Sequence, residues 1–592
     1  MKKYKLLSLI LALAMVMGML AGCGSTAASE ASAAEETAAE SAVAEEAEAE
    51  EPEEAEAEEP EEAPAEADEA PEAASAEEAG SAVEEEAEAA TVEAIPVELP
   101  IVDEPITYSI WYSEPFTEYV DNPMEDVSIF GLLADKTGIS FDFTLVTVDS
   151  ASEQFQLLFA ADSLPDVITD AMDYYNGSID DAVFEDEFLY DYSGDLETIM
   201  TNYNAVLHQK RFIEARKRVT SAQTGAMVSF PELYKDVGDE DGYMIRKDFM
   251  DEAGITEVPT TYDEMHDVLT AIHDVNGAAL DLSSSGGDGQ LGAGFGINCG
   301  LDDDDLGGWY VVDDEVRMGI LQPEFKDYLE MVKQWYSEGI IYADFINTDN
   351  GDLSNLFSGA VSITTKVPEI IEVASSVVGA TMVPMTAPVQ NEGDVIQVCG
   401  GESSCVMDAN TWSININTEE IEPLLKLIDY MYSDEANDMM NYGEEGVTFT
   451  YDADGNPEYT DMILNNPDGY DFAHAGYFYA TSNRTRLPFV ADYARCFATY
   501  SEAAMEAVDI YTNDCTHELD YPNGAILDTD QTTEYNTVAA DIATYISENV
   551  LKFIYGEKEM DEWDSFVETL YSMGVETAIS AKQAAYDDYL AS

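Results

Sequence analysis

Positive charge is what this chain has least of. Lys and Arg number 23 against 123 Asp and Glu, with five His. Three of the bases, Lys2, Lys3 and Lys5, open the chain, and residues 30–100 hold 28 acids and no base at all. Residues 101–592 are left with 95 acids against 20 bases. A surface of that sign repels phosphate backbones and anionic lipid, which excludes nucleic acid as a partner and favours a neutral or cationic solute. Cysteine is scarce as well. Beyond Cys23 there are Cys299, Cys399, Cys405, Cys496 and Cys515, an odd number with no CxxC pair. Neither a zinc site nor a disulfide framework is indicated, although Cys399 and Cys405, in CGGESSC, stand close enough to close a small loop. The five histidines show no ligand spacing, and GxSxG, HExxH and P-loop patterns are missing. After the first twenty residues no apolar run approaches the ~18 needed to span a membrane.

What is present begins with MKKYKLLSLILALAMVMGMLAGC. A positive start, an apolar core from Leu6 to Leu20 and small residues before Cys23 read as an export signal. The four residues LAGC resemble the signal of bacterial lipoproteins, in which the cysteine is acylated and becomes the new N-terminus; the alternative is an ordinary secretion signal with an incidental cysteine. Residues 1–22 are therefore expected to be a lipoprotein signal peptide, and Cys23 the lipidated residue. The tract from there to residue 100, EEAEAEEPEEAEAEEPEEAPAEADEAPEAA in its middle, is nearly all Ala, Glu, Ser and Pro. Prolines from Pro52 to Pro71 break helix, like charges repel, and there is nothing to bury, so the expectation is a disordered acidic tether. A neutral flexible chain of that length spans roughly 45–50 Å, and repulsion extends it.

The remaining 490 or so residues are ample for two or three domains. ITYSIWY (106–112), ISFDFTLV (139–146) and DVIT (166–169) read as strands, with helices at 124–138, closed by Gly138, and at 150–163, where Ser150 and Glu153 space like a capping box. That alternation predicts an α/β fold with a parallel, doubly wound sheet and ligands at the strand carboxyl ends. Further strands are expected at 225–230, 242–249, 278–284, 360–365, 380–386 and 405–417. Helices are expected at 258–275, 323–338 and 420–441, a hairpin at YDADGNPEYT, and helices at 487–511, 535–554 and 560–588.

LLADKTGISFDF, FAADSLPDVI, GYMIRKDFMDEAGITEVPTTYDEM, YLEMVKQWYSEGIIYADF and LIDYMYSDEANDMMNYGEEG with YDADGNPEYTD, in that order behind LAGC, resemble the type II extracellular solute-binding proteins of ABC importers. The match lies with the branch of large carbohydrate-binding lipoproteins and covers roughly 105–592. The resemblance implies a two-lobed, type II periplasmic-binding-protein-like fold closing over a ligand in its cleft. It implies a first lobe from 101–238 and 412–450, a second from 239–411, and a helical part, 451–592, belonging mainly to the second. It also implies a monomer that carries an oligosaccharide to ABC permease subunits, held at the outer face of the cell membrane by its lipid, with no cofactor.

A sugar site needs flat aromatic faces and planar polar groups just past strand ends. Trp111 ends the first strand and is either a cleft-rim residue or a core tryptophan. In PDVITDAMDYYN, Asp170, Asp173, Tyr174 and Tyr175 follow a strand; the loop in this place in maltose-binding-type proteins supplies ligand carboxylates and aromatics. The alternative is a solvated acidic loop. Arg246 lies in the strand expected to cross between lobes, as a hydroxyl ligand or a surface ion pair. Trp309 is a rim platform or core, and Lys366 and Trp412 lie near strand ends of the second lobe and the return crossing. Trp335, in the stripe Tyr328, Leu329, Val332, Trp335, Tyr336, reads as core. Asp302 to Asp305 and DADGNPE fit no calcium loop, so no metal site is expected. Two other classes stay open: a secreted carbohydrate-active enzyme, which needs only two of the many carboxylates, and a surface adhesin or peptide-binding lipoprotein.

Overall fold

A computed structural model describes residues 94–114, 127–235, 241–282, 291–299, 306–347, 353–399, 406–453, 455–470, 472–480 and 486–591. Cys23, the acidic tract as far as residue 93, Cys405, Asp302 to Asp305 and Asp454 lie outside the described residues. Residues 94–100, expected as the end of the tether, instead pack on the folded part: Val97 and Leu99 lie against the core of the first sheet, and the Ile95 amide donates to Thr201 at 2.9 Å.

The chain lays down β1 (Ile106–Glu114), β2 (Ile139–Thr147), β3 (Val167–Ile168) and β4 (Ser229–Tyr234) before leaving its first sheet. It then forms β5 (Gly242–Arg246) and β6 (Ala279–Leu280), a hairpin of β7 (Trp309–Val312) and β8 (Glu315–Met318), then β9 (Val361–Lys366) and β10 (Met382–Pro384). It returns as β11 (Val406–Ile414), makes the small hairpin β12 (Phe449–Tyr451) and β13 (Pro457–Tyr459), and ends its sheets with β14 (Val490–Ala491). Two main sheets result, of order β14-β4-β11-β3-β1-β2 and β10-β5-β9-β6.

In the first sheet β1, β2 and β3 are parallel, whereas β11 runs antiparallel to both β3 and β4. The carboxyl ends of β1, β3 and β4 therefore share one edge with the amino end of β11. The expected doubly wound sheet thus carries one reversed strand, the one that comes back from the second sheet. Alternation along β1 sends Tyr108, Ile110 and Tyr112 to one face and Trp111 to the other. The first face packs Leu133, Phe230, Trp412, Leu424 and Ile428; the second packs Phe155, Ile168 and Phe188. A separate core forms on the second sheet from Tyr243, Ile245, Leu269, Trp309 and Leu329, and the C-terminal helices add Ile542, Phe553 and Trp563 to it. Tyr477, Leu487 and Phe489 pack with the first core instead.

Local signals explain most boundaries. The helix Ser128–Thr137 stops at Gly138 in the left-handed conformation, and Pro323–Glu338 starts with its proline and stops at Gly339. Tyr328, Leu329, Val332 and Trp335 face the core. Tyr262–Asn276 is capped by Thr261 and Glu264 in a reciprocal box. The box expected at Ser150 does not form. That helix runs Val148–Ala160 from Thr147, so Ser150 lies inside its first turn and its hydroxyl returns to the Thr147 carbonyl at 3.1 Å. The helix expected over 420–441 is broken into Ile421–Met431 and Asn437–Tyr442, and that over 487–511 holds β14 and a 3-10 stretch before Glu502–Asn513. Cys399 pairs with Cys515 across 116 positions, not with Cys405. Backbone pairing brings them together, with Ile396 bridging Cys515, and the Cys399 amide donates to the Asp520 carboxylate at 3.0 Å. Among the described residues no helix is long and apolar enough to cross a membrane.

Candidate binding site

The carboxyl edge of the first sheet is where side chains from distant parts of the chain converge. After β3 the backbone turns sharply, with Asp170 at φ +54° leading the short helix Ala171–Tyr174. The Asp170 amide donates to the Asn410 carbonyl at 3.0 Å, which fastens the turn to β11. Its carboxylate, only 2% exposed, accepts from Arg486 Nη1 at 2.7 Å. Arg486 is itself positioned by two buried aromatics: its amide donates to the Tyr112 hydroxyl, and its carbonyl accepts from Trp412 Nε1, both at 2.9 Å. Asn410 Nδ2 donates to Asp173 at 2.5 Å, and the Tyr174 hydroxyl meets Ser113 Oγ at 3.1 Å. Burial, and after it the nearby Asp170 charge, push the Tyr174 phenol above its ordinary pKa, so it stays a neutral hydrogen-bonding group. Glu232, on β4 at this edge, and Arg495 are both buried and stand 3.8 Å apart, and Arg495 also donates to Asn441 at 3.0 Å. The edge therefore offers carboxylates, amide, guanidinium and hydroxyl groups from five separate segments.

The residues expected from the sequence divide on this geometry. Asp170, Asp173 and Tyr174 are brought together here. Tyr175 turns away: its ring packs on Phe159 and Phe188 and its hydroxyl donates to Asp186 at 2.5 Å. Trp111 is fully buried between Phe155 and Tyr174, with centroids at 6.2 and 5.6 Å. Its indole N–H finds no acceptor among the described residues. Trp412 is equally buried, edge-on to Phe141, and reaches the site only by holding Arg486. Trp309 is 1% exposed in the second core, not on a rim, and Tyr310 and Val311 beside it on β7 are buried in the same core. None of the three tryptophans offers a ring face to a solute in this conformation. Lys366, paired with Gly242 where the chain enters the second sheet, stands at that sheet's crossing end. Arg246 does not; it is at the far end of β5, opposite Met382. There it forks onto Asp248 at 2.8 and 2.5 Å, donates to the Leu356 carbonyl at 3.0 Å and lies 4.0 Å over the Phe249 ring.

Asn410, Glu232, Arg486 and Arg495 went unnoticed in the sequence. The scarcity of bases was the available signal, because each Arg in so acidic a chain has many possible partners and a buried one has been selected by packing.

Comparison with known proteins identifies the architecture. The family described as bacterial extracellular solute-binding proteins matches residues 113–438, more than half of the chain. The chain belongs to that family. Solute-binding proteins of known structure share its two-lobed, periplasmic-binding-protein-like fold. The alginate-binding protein AlgQ2, solved without calcium, superposes with a TM-score of 0.65 at 20% identity, covering 82% of this chain and 99% of that one. A solute-binding protein associated with an HMO-binding ABC transporter of Bifidobacterium longum infantis gives 0.66 at 20%, with the same coverage. FusA, the ABC-transporter substrate-binding protein of S. pneumoniae in complex with kestose, gives 0.60 at 20%, covering 82% and 100%. No curated protein matches the chain. The edge built around Asp170 belongs to the first of the two main sheets.

Proposed function

We propose that this solute-binding protein captures a neutral oligosaccharide at the carboxyl edge of its first sheet, closes its second lobe over it, and delivers it to an ABC-type importer. The observation that carries the reading is the set Asp170, Asp173, Asn410 and Arg486, fixed by mutual hydrogen bonds at a strand edge, with Tyr174 held beside it by Ser113. Planar carboxylate, amide and guanidinium groups make paired bonds to vicinal hydroxyls, and a neutral polar solute is what so acidic a chain admits without opposing charge. The alginate, HMO and kestose named for the structural neighbours support carbohydrate as the class. Lys366 is the second-lobe residue placed to meet the solute on closure, which ligand binding selects. The LAGC sequence supports lipid attachment at Cys23, which would hold the chain at the outer membrane face.

The test is a thermal-shift screen of the full chain against neutral oligosaccharides, amino sugars and short peptides, with product analysis of every hit. At a hundredfold excess over Kd a ligand adds about 2.7 kcal/mol. A shift with one glycan class and no hydrolysis, abolished in Asp170→Ala and Tyr174→Ala, is the expected result. A shift from peptides alone overturns the ligand class, cleavage of the glycan overturns the receptor reading, and silence throughout favours an adhesin.

A further inference from the structure

A cavity of about 410 Å³ lies away from the Asp170 edge. It opens beside Gly225 and Met227, which precede the amino end of β4, whereas Glu232, toward the other end, belongs to the edge described above. Its walls have two sources. The helices Thr201–Leu207 and Ile213–Arg218 pack into the first core, and the helix Val575–Ala591 packs into the second.

The lining inverts the chemistry of the rest of the molecule. About one residue in five of the chain is Asp or Glu (123 of 592), yet none of the sixteen residues lining this cavity is acidic. Arg216, Lys217 and His208 line it instead, with Asn204, Ser193 and Ser221 among the polar groups. Lys217 is held in place, donating to the Tyr589 carbonyl at 2.8 Å with its ammonium 3.9 Å over the same ring. The carboxylate nearby, Glu214, accepts the Tyr589 hydroxyl and is not part of the lining. The imidazole of His208 shares a 2.8 Å bond between Nδ1 and the Asn204 carbonyl; a carbonyl only accepts, so Nδ1 carries the proton and Nε2 remains for another partner. Arg216 is the decisive residue. Half-buried, in a chain crowded with carboxylates, its guanidinium makes no hydrogen bond, ion pair or ring contact among the described residues. Among the described residues neither Arg216 nor Lys217 makes an ion pair, and the one carboxylate close by, Glu214, whose second oxygen is buried beside Gly524 without a hydrogen-bond partner, balances only one of the two cations. In a cavity large enough for a small molecule, the remaining positive charge makes an anion site.

We propose that this cavity binds a small organic anion, its carboxylate or phosphate on the Arg216 guanidinium and its apolar part against Leu207, Met227 and Tyr589. The site is independent of the oligosaccharide reading and stands or falls without it.

Isothermal titration of the full chain with citrate, benzoate and inorganic phosphate tests it, alongside Arg216→Gln, Arg216→Lys and Lys210→Gln. Arg216→Gln removes no internal contact, so its melting temperature should match wild type. The expected result is saturable binding of at least one probe, weakened roughly tenfold or more by Arg216→Gln, less by Arg216→Lys, and unchanged by Lys210→Gln. A response to phosphate alone, or to the carboxylates alone, assigns the head group. No saturable binding of any probe overturns the proposal. So does equal weakening in Arg216→Gln and Lys210→Gln, which marks a diffuse field, or wild-type affinity in Arg216→Gln.

Discussion

Two arginine–aspartate pairs, one at each main sheet, show what a pair of charges can and cannot say about a site. Arg486 and Asp170 are 316 positions apart and meet at the carboxyl edge of the first sheet. Arg246 and Asp248 are two apart and meet at the end of β5 away from the crossing. The distant pair forms only when the fold is complete, and Tyr112 and Trp412 orient it through the Arg486 backbone. The local pair needs little more than a strand end running into a helix. Convergence from distant segments marks a built site; a fork between near neighbours marks a helix start.

The largest effect follows from breaking the distant pair. Arg486→Ala leaves a buried carboxylate without this counter-charge, and breaking such a pair costs about 3–5 kcal/mol. Denaturant unfolding should show that loss, and titration should show oligosaccharide binding gone. The double variant with Asp170→Asn should recover stability but not binding. Recovery of both would remove the pair from the site.

Next comes the crosslink of the second lobe. The Cys399–Cys515 bond encloses 116 positions, and closing a loop of that size in the unfolded chain stabilises by about 2–5 kcal/mol. Cys515→Ser should lower the melting temperature, and a reductant should bring wild type down to the variant while leaving the variant unmoved. Glycan affinity, set at the Asp170 edge, should survive; its loss would tie the two regions together.

These two features also show how much could be read in advance. The alternation of β1, β2 and β3 with helices and the loop after β3 were legible because parallel βα units repeat a short-range pattern and Gly138, Pro323 and Gly339 mark helix ends locally. That Asp170, Asp173 and Tyr174 stand just past a strand was legible for the same reason, since a strand's carboxyl end can be counted along the chain. Arg486, Asn410 and the Cys399–Cys515 bond were not. Each acquires its neighbour only through tertiary packing, at separations where no periodicity survives. The tryptophans misled in the opposite direction. Trp111, Trp309 and Trp412 stand at or near strand ends, as a sugar platform would, but their strands are covered on both faces, so the neighbours Tyr112, Tyr310 and Ser413 are buried with them and no ring is left at the surface.

A third comparison sets buried carboxylates against exposed ones. Asp429, 1% exposed, accepts from Asn202 at 2.7 Å and the Tyr203 amide at 2.9 Å, yet burial pushes its pKa up to about 6 from 3.8. Between those two values the folded chain keeps a proton that the unfolded chain releases. Stability from this residue therefore grows as pH falls through 6 toward 4, and above 6 the fold bears the whole cost of the buried charge, on the order of 2–3 kcal/mol. Asp429→Asn should be favoured over wild type more at pH 7 than at pH 4 in matched denaturant titrations. An equal difference at both values would show that Asp429 is charged in the fold throughout.

The smallest effect should come from the local pair, and it sharpens the comparison most. Burial alone would raise the Asp248 carboxyl, but the Arg246 fork overrides it and holds the group below its ordinary range. That carboxylate is 41% exposed, so solvent already screens most of the attraction and the pair contributes about 1 kcal/mol or less. Arg246→Gln can still donate to the Leu356 carbonyl, which limits the loss further. The variant should melt within a few degrees of wild type and bind glycan with unchanged affinity. If affinity fell while stability held, a charge at the far end of β5 would be reaching the solute. The β5–β9 register, which places Lys366 rather than Arg246 at the crossing, would then be the wrong guide to the second lobe's contribution.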